Sequence, residues 1–161
     1  MSGQNNEQPD LILIGIGSNL DPEKNIPKAL QLLSAQVTIL QVASIWQTPA
    51  VGSEGPDYLN SSVLIESPLT QEQLKSRVLT KIEEALGRVR TKDKNADRTI
   101  DLDIIMYAGI CLDEDLWSRA HVAIPAAEIY PDCTNPRSGE TLLQASKRLS
   151  SGEINIKIVD L

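Results

Sequence analysis

The sequence predicts an α+β fold in which helices pack on an antiparallel sheet. Two observations lead to this prediction. Strand-type and helix-type segments follow one another in the order β-α-β-β-α-β between Leu11 and Tyr107, and both helical segments carry an apolar stripe. We expect residues 1–161 to form a single domain, with a disordered lead-in over 1–9, the β-α-β-β-α-β core over 10–107 and a C-terminal extension over 108–161.

Four segments have the apolar, β-branched composition of strands. The second and third are separated by PAVGSEGPD, whose two prolines and two glycines indicate a loop. The four segments are LILIGIG (11–17), VTILQVASIWQT (37–48), YLNSSVLIES (58–67) and TIDLDIIMY (99–107).

The two helices of the core differ in how clearly their ends are marked. The first is predicted over NIPKALQLLSAQ (25–36), with its proline in the first turn. In the second, Thr70 and Gln73 form a capping box, Leu69 can pack against Leu74, and Gly87 is a suitable end. This element order is the split pattern of ferredoxin-like folds. Beyond the core, IPAAEIYPD and SGETLLQASKRL indicate helices, and GEINIKIVDL is either a strand or a tail.

Charge and composition exclude several classes of protein. The net charge of −7 argues against general nucleic-acid binding, which needs a basic surface. The longest apolar runs are only as long as strands, so no membrane span is expected. The polar start MSGQNNEQPD lacks the features of a signal peptide, and we expect a cytoplasmic protein. Cys111 and Cys133 have no spacing that indicates a disulfide scaffold or a zinc site.

The basic residues are concentrated in one segment. Five of the fifteen lie within eleven positions, at Arg88, Arg90, Lys92, Lys94 and Arg98. Such a cluster in an acidic protein indicates either a small polyanionic ligand or a solvated basic loop.

Asp101 and Asp103 interrupt the apolar strand that follows this segment. Side chains two residues apart in a strand share a face, roughly 6.6 Å apart, so the two carboxylates would project together while Ile100, Leu102 and Ile104 face the core. Two like charges on one face repel each other, and Mg²⁺ would remove that cost because it binds to few carboxylates and completes its shell with water and phosphate. The alternative is a pair of aspartates on a solvated face.

The neighbouring arginines indicate which anion such a metal would accompany. Arg88, Arg90 and Arg98 lie on either side of the loop before the aspartates, and guanidinium groups suit phosphate oxygens. Carboxylates and arginines together are the grouping expected for phosphoryl transfer. The sequence contains no G-x-x-x-x-G-K-S/T phosphate-binding loop. The G-x-G-x-x-G motif is also incomplete, because Leu20 stands where Gly15-x-Gly17 would need a third glycine. A nucleotide would therefore be bound by side chains and metals.

These motifs together resemble a known family. The segments GIGSNL, TPAVG with GPDYLN, GRVR and RTIDLDII occur in the same order in hydroxymethyldihydropterin pyrophosphokinase, the folate-pathway enzyme that transfers the terminal pyrophosphate of ATP to a pterin alcohol. The resemblance runs from about Leu11 to Leu143, and R-x-x-D-L-D is its most specific element. It implies the same ferredoxin-like fold.

The resemblance also implies a role for individual residues. Asp101 and Asp103 match the aspartates that hold two Mg²⁺ ions on the ATP phosphates, and with Arg88 and Arg98 they form the expected catalytic set. The implied nucleotide contacts are Arg88, Arg90, Arg98, Arg119 and Ile104. The implied pterin contacts are Thr48, Pro49, Val51, Tyr58, Asn60 and His121. The expected partners are these two small molecules, without nucleic acid or membrane.

Three departures from the family pattern leave other functions open. Asp97 adds negative charge where the family has a small residue, the Pro-His pair after the last core strand is missing, and His121 stands in place of a stacking phenylalanine. We expect pyrophosphate transfer from ATP to hydroxymethyldihydropterin. The alternatives are a catalytically weak homologue that binds pterin or nucleotide, and a structural domain on the same fold.

Overall fold

The computed structural model describes residues 8–48, 56–88, 99–151 and 157–159. The elements of the core are β1 (Asp10–Ser18), α1 (Pro22–Ser34), β2 (Thr38–Val42), β3 (Ile45–Thr48), β4 (Tyr58–Ser67), α2 (Gln71–Leu74), a π-helical segment (Lys75–Leu79), α3 (Thr80–Ala85) and β5 (Asp101–Tyr107). The elements that follow are β6 (Ile110–Cys111), a 3-10 turn (Glu114–Trp117), α4 (Ala120–Ile129), α5 (Leu142–Ser150) and β7 (Lys157–Val159).

The described strands form one antiparallel sheet in the order β6-β5-β1-β4-β3-β7, with β2 also paired to β4. This arrangement confirms the predicted α+β class. β1 lies between β4 and β5, and it buries apolar residues on both of its faces, at Ile12, Leu13, Ile14 and Ile16.

One face of the sheet is covered by α1 and by α2, the π segment and α3. Alternate β1 residues point into this face, and its cluster includes Ile12, Ile14, Ile26, Leu33 and Leu74. The alternation places Ile100 and Leu102 in the same cluster, with Ile104 packed against it. The prediction that these three residues face the core is therefore confirmed.

The opposite face is covered by α4 and α5. Leu13, Ile105, Met106, Ala123 and Leu142 belong to its cluster. The pairing of β1 with β5 shifts between Leu13 and Ile14, so that Ile104 and Met106 oppose successive β1 residues, and the extra residue between them, Ile105, is buried in this second cluster. Since Gly15 and Gly17 alternate with the apolar β1 residues of the first face, they lie on the same side as Leu13.

Two predicted elements differ from the structure. The segment 37–48 is not one strand, because β2 ends at Val42 and β3 begins at Ile45. At the break, Ala43 bonds to β4 through its N–H to Ser62 O and its C=O to the Ser61 hydroxyl. The first helix begins at Pro22, three residues earlier than predicted, so that Pro27 lies inside the helix and not in its first turn.

The predicted ends of the second helix are confirmed. Thr70 and Gln73 form the capping box, with reciprocal hydrogen bonds of 3.2 and 3.1 Å. Gly87 adopts a left-handed backbone with φ of 82°, which a glycine accepts without the strain that a Cβ atom would add.

Candidate functional site

The site is built around the two glycines of β1. Gly17 pairs with Asp101 on β5 and with Asn60 on β4, while Gly15 pairs with Asp103 and with Ser62. Directly opposed residues of an antiparallel pair point to the same face, so the aspartates and Asn60 stand on either side of a strip that has no side chains. Because adjacent strands lie about 4.8 Å apart, the two sides of this glycine strip are roughly 10 Å apart.

Gly17 leaves little space for a larger residue. A Cβ atom at this position would lie 3.0 Å from Asn60 Oδ1 and 3.9 Å from Tyr58 Cδ1. The glycine therefore forms the floor of the site under the Asn60 amide, although Gly15-x-Gly17 is not part of a phosphate-binding loop.

Arg88 joins the end of α3 to the aspartate side of the strip. Its Nη1 is 2.8 Å from Asp101 Oδ1 and also pairs with Glu83 Oε2. The side chains of Arg88, Glu83 and Asp101 are only 13, 6 and 19% exposed, so each charge depends on its partners for compensation. The structure thus brings together Arg88 and Asp101, two residues that the sequence predicts to act on the same phosphates.

The carboxylate pair fits a magnesium ion. Asp103 is exposed and Asp101 is partly buried, both on the face of the sheet that carries the glycine strip. No group of three or more His, Cys, Asp or Glu side chains gathers as metal ligands among the described residues. Two carboxylates nevertheless suffice for Mg²⁺, which keeps most of its shell for water and substrate phosphates.

The other side of the strip is a polar pair held between β3 and β4. Asn60 Nδ2 donates to Thr48 Oγ1 at 2.6 Å, and both residues are buried. Thr48 pairs with Tyr58 across the two strands. The bond to Thr48 fixes the amide so that its oxygen faces Gly17, and a buried amide in a fixed orientation can recognise a ligand with one donor and one acceptor.

The beginning of α4 brings His121 toward the same site. Burial lowers the pKa of His121 below its usual value of 6.5, and the positive charge of Arg119 lowers it further. The carboxylates of Asp115, Asp113 and Asp101 act in the opposite direction. α4, whose first turn carries His121, packs on the face of the sheet that carries the glycine strip and the aspartates. Arg119 itself pairs loosely with Asp115, at 3.6 Å on the surface.

Glu128 fastens the other end of α4 to β3. Its Oε1 accepts a hydrogen bond from Trp46 Nε1 at 2.6 Å, and its Oε2 accepts one from Ser44 N at 3.0 Å. Trp46 is the register partner of Asn60, so this contact ties the helix that carries His121 to the strand beside the Asn60 amide.

Some predicted site residues do not join this arrangement. Pro49, Val51, Arg90 and Arg98 lie outside the described residues. The side chain of Ile104 packs against the cluster on the other face of the sheet, and its contact with a nucleotide stays a prediction.

Three residues of the arrangement were not predicted from the sequence. Glu83 lies five positions before Arg88. In the sequence, the only indication of its role is that this carboxylate lies next to the apolar stripe of its helix. Trp46 and Glu128 are 82 positions apart, and no local pattern in the sequence indicates that they meet.

Comparison with known proteins agrees with the motifs. Residues 13–131 match the family model for 7,8-dihydro-6-hydroxymethylpterin-pyrophosphokinase. The chain belongs to this family. The match covers the glycine strip, both aspartates, Arg88, the Asn60–Thr48 pair and the whole of α4. A pyrophosphokinase fold thus carries the site, with His121 as a residue of its fourth helix.

Individual relatives support the same family. The chain is 33% identical over 143 residues to the 2-amino-4-hydroxy-6-hydroxymethyldihydropteridine pyrophosphokinase of Synechocystis, covering 82% of this chain and 72% of the relative. It is 31% identical to the Haemophilus influenzae protein of that name, over 78% of this chain and 84% of the relative. The corresponding Bacillus subtilis protein is 33% identical, over 74% and 78% of the two chains.

The structure also bears on the expected absence of a membrane segment. Among the described residues, none of the helices combines the length and apolar character that crossing a bilayer requires.

Proposed function

We propose that this protein transfers the terminal pyrophosphoryl group of ATP to the hydroxymethyl oxygen of 6-hydroxymethyl-7,8-dihydropterin, with AMP as the second product. A bond forms between that oxygen and the β-phosphorus, and the bond from the β-phosphorus to the bridging oxygen of the α-phosphate breaks. AMP keeps the electron pair, and the hydroxyl proton is released.

One observation carries this proposal. The glycine strip separates Asp101 and Asp103 from Asn60 by about the length of a small bicyclic ligand and its side arm, roughly 10 Å. A pterin held by the Asn60 amide would therefore extend its hydroxymethyl group toward phosphates held at the aspartates.

The aspartates and arginines would bind ATP and its metal ions. Asp101 and Asp103 would hold two Mg²⁺ ions, which supply neutralisation of the phosphate charge and a fixed geometry for displacement at phosphorus. Arg88 adds a guanidinium beside the same phosphates and would stabilise the charge that develops on them. Arg90, Arg98 and Arg119 are proposed to contact the rest of the nucleotide.

The pterin would lie between α4 and the β3–β4 edge. Tyr58 and His121 would stack on the two faces of the ring, and Asn60 would read its polar edge, with Thr48, Pro49 and Val51 around it. A neutral imidazole suits an apolar pocket, and the lowered pKa of His121 keeps the ring neutral at pH 7.

An assay of AMP formation tests the proposal. ATP, Mg²⁺ and 6-hydroxymethyl-7,8-dihydropterin are incubated with the protein, and nucleotides are separated by chromatography. AMP should appear only when the pterin and the metal are both present. Binding of the pterin and an ATP analogue without AMP would instead support the catalytically weak homologue, and absence of all binding would support a structural domain.

A further inference from the structure

α2, the π segment and α3 form one continuous helix over residues 71–85. This helix contains one residue more than a regular α-helix would need to bury the same face. The residues that this helix buries, counted from Leu74, lie four, five, eight and nine positions later, at Val78, Leu79, Ile82 and Glu83. In a regular α-helix one face is occupied at three, four, seven and eight positions. Glu83 would then lie about 180° around the helix from Leu74, at about 100° per residue.

The π segment resolves this difference. Lys75–Leu79 is π-helical, and such a turn accommodates one additional residue within the helix. From Leu79 onward, every side chain takes the direction that its predecessor would have in a regular helix. The consequence is that a carboxylate, Glu83, joins an otherwise apolar stripe and faces the sheet.

Glu83 meets three groups at that position. Its Oε2 accepts a hydrogen bond from Leu102 N at 3.3 Å and pairs with Arg88 Nη1. The left-handed turn at Gly87 also bends the chain back, so that Arg88 N donates to Glu83 O at 3.0 Å. Main chain and side chain therefore both hold Arg88 to Glu83.

Arg88 is consequently shared between two carboxylates, because its Nη1 also lies 2.8 Å from Asp101 Oδ1. At this carboxylate the guanidinium would compete with a metal ion bound by Asp101. Because Arg88 also pairs with Glu83, it would keep a carboxylate partner when Asp101 binds to the metal.

We propose that Glu83 is a positioning residue, which retains Arg88 at the phosphate site and leaves Asp101 available to Mg²⁺. The π segment is the feature that lets the helix present Glu83 there. This inference rests on the proposed function, since it concerns the same phosphate site.

The test uses Glu83→Gln, which keeps an acceptor for Leu102 N and removes the charge. Without the charge of Glu83, Arg88 should pair more strongly with Asp101, and Asp101 should bind to Mg²⁺ more weakly. Binding of an ATP analogue with a methylene bridge between its α- and β-phosphates is measured by calorimetry over a series of Mg²⁺ concentrations. The Mg²⁺ concentration for half-maximal binding should rise at least about fivefold, and saturating Mg²⁺ should restore binding. Glu84→Gln is the matched control, because Glu84 is the exposed neighbour that pairs with Lys81.

Deletion of the exposed Ser76 tests the role of the π segment. The buried residues would then lie three, four, seven and eight positions after Leu74, and a regular α-helix would present Glu83 to the same groups. The deletion should keep the wild-type dependence on Mg²⁺ and also serves as a background for Glu83→Gln. Loss of folding on deletion would overturn this account of the helix.

The outcomes separate this inference from the proposed function. An unchanged Mg²⁺ dependence in Glu83→Gln, or a loss of binding that saturating Mg²⁺ does not restore, would overturn the role of Glu83. Wild-type protein that binds the analogue but forms no AMP from ATP, Mg²⁺ and 6-hydroxymethyl-7,8-dihydropterin would overturn the proposed function alone.

Discussion

Gly17 and Asn60 face each other across β1 and β4 so closely that a Cβ atom on Gly17 would lie 3.0 Å from the Asn60 side-chain oxygen. Gly17→Ala should therefore displace the amide and weaken pterin binding by about tenfold, the effect of losing one or two good hydrogen bonds. Fluorescence titration with a pterin analogue measures this affinity.

Gly15→Ala is the control for this prediction. Its Cβ atom would lie 2.8 Å from Ile105 Cδ1, the flexible end of an apolar side chain, and would not approach Asn60. We expect a lower melting temperature from the crowded core and an unchanged pterin affinity. Equal losses of affinity in the two variants would contradict the assignment of Asn60.

The two aspartates should differ in what they contribute to stability. Both Asp101→Asn and Asp103→Asn should abolish Mg²⁺-dependent binding of an ATP analogue. Repulsion between the aspartates alone predicts an unchanged fold for both variants, but Asp101 also pairs with the mostly buried Arg88. Asp101→Asn should therefore lower the free energy of unfolding by about 1–3 kcal/mol, whereas Asp103→Asn should cost less, because Asp103 is exposed and solvent screens its charge.

Calorimetric binding and thermal unfolding of the two variants check this prediction. Normal Mg²⁺-dependent binding in either variant would show that the metal is held elsewhere.

The sequence was sufficient to predict the order of the core elements and the aspartate face, because both depend on local patterns. Alternation along β5 places Asp101 on the other face of the strand from the buried Leu102. The capping box at Thr70 marks where a helix begins. The break between β2 and β3 was missed, since the bonds of Ala43 to Ser61 and Ser62 come from another strand.

Other features of the site depend on residues distant in the chain. Glu83 faces inward only because a π segment changes the register of its helix, and the pattern of a regular helix places it outside the buried stripe. The contact of Trp46 with Glu128 depends on how α4 packs against β3, which no local pattern predicts.

His121 should make stability depend on pH. Burial lowers the pKa of His121 in the folded protein below 6.5, so that below this pH the unfolded chain binds more protons than the folded one. Its contribution to the free energy of unfolding is therefore complete above pH 6.5 and decreases as the pH falls. The melting temperature of wild type, relative to that of His121→Phe, should be lower at pH 5.5 than at pH 7.5, by thermal unfolding.

Pterin binding by the same proteins tests whether the imidazole lies in the pocket. The affinity of wild type should fall below about pH 6, because a charged ring is costly to desolvate, while that of His121→Phe stays flat over this range. The phenylalanine variant should bind at least as tightly at neutral pH and His121→Ala more weakly. Identical affinities in all three proteins would place His121 outside the pterin pocket.

Glu128 should affect pterin binding from the far side of the pocket. Glu128→Ala removes the acceptor for Trp46 Nε1 and Ser44 N and frees the end of α4 from β3. We expect a loss of about 1–2 kcal/mol in the free energy of unfolding and a weaker affinity for a pterin analogue. Glu114→Ala, which removes an almost fully exposed carboxylate that pairs with Arg137, should change neither quantity. Indistinguishable behaviour of the two variants would mean that α4 is held by its apolar contacts alone.

The most direct test of pyrophosphoryl transfer is the ³¹P NMR spectrum of the products. Wild-type protein is incubated with ATP, Mg²⁺ and 6-hydroxymethyl-7,8-dihydropterin, with Asp103→Asn as the inactive control. Attack at the β-phosphorus predicts resonances of AMP and of a pterin diphosphate ester, in equal amounts and only with the wild-type protein. Resonances of ADP and a pterin monophosphate, or an ATP spectrum that does not change, would contradict this account.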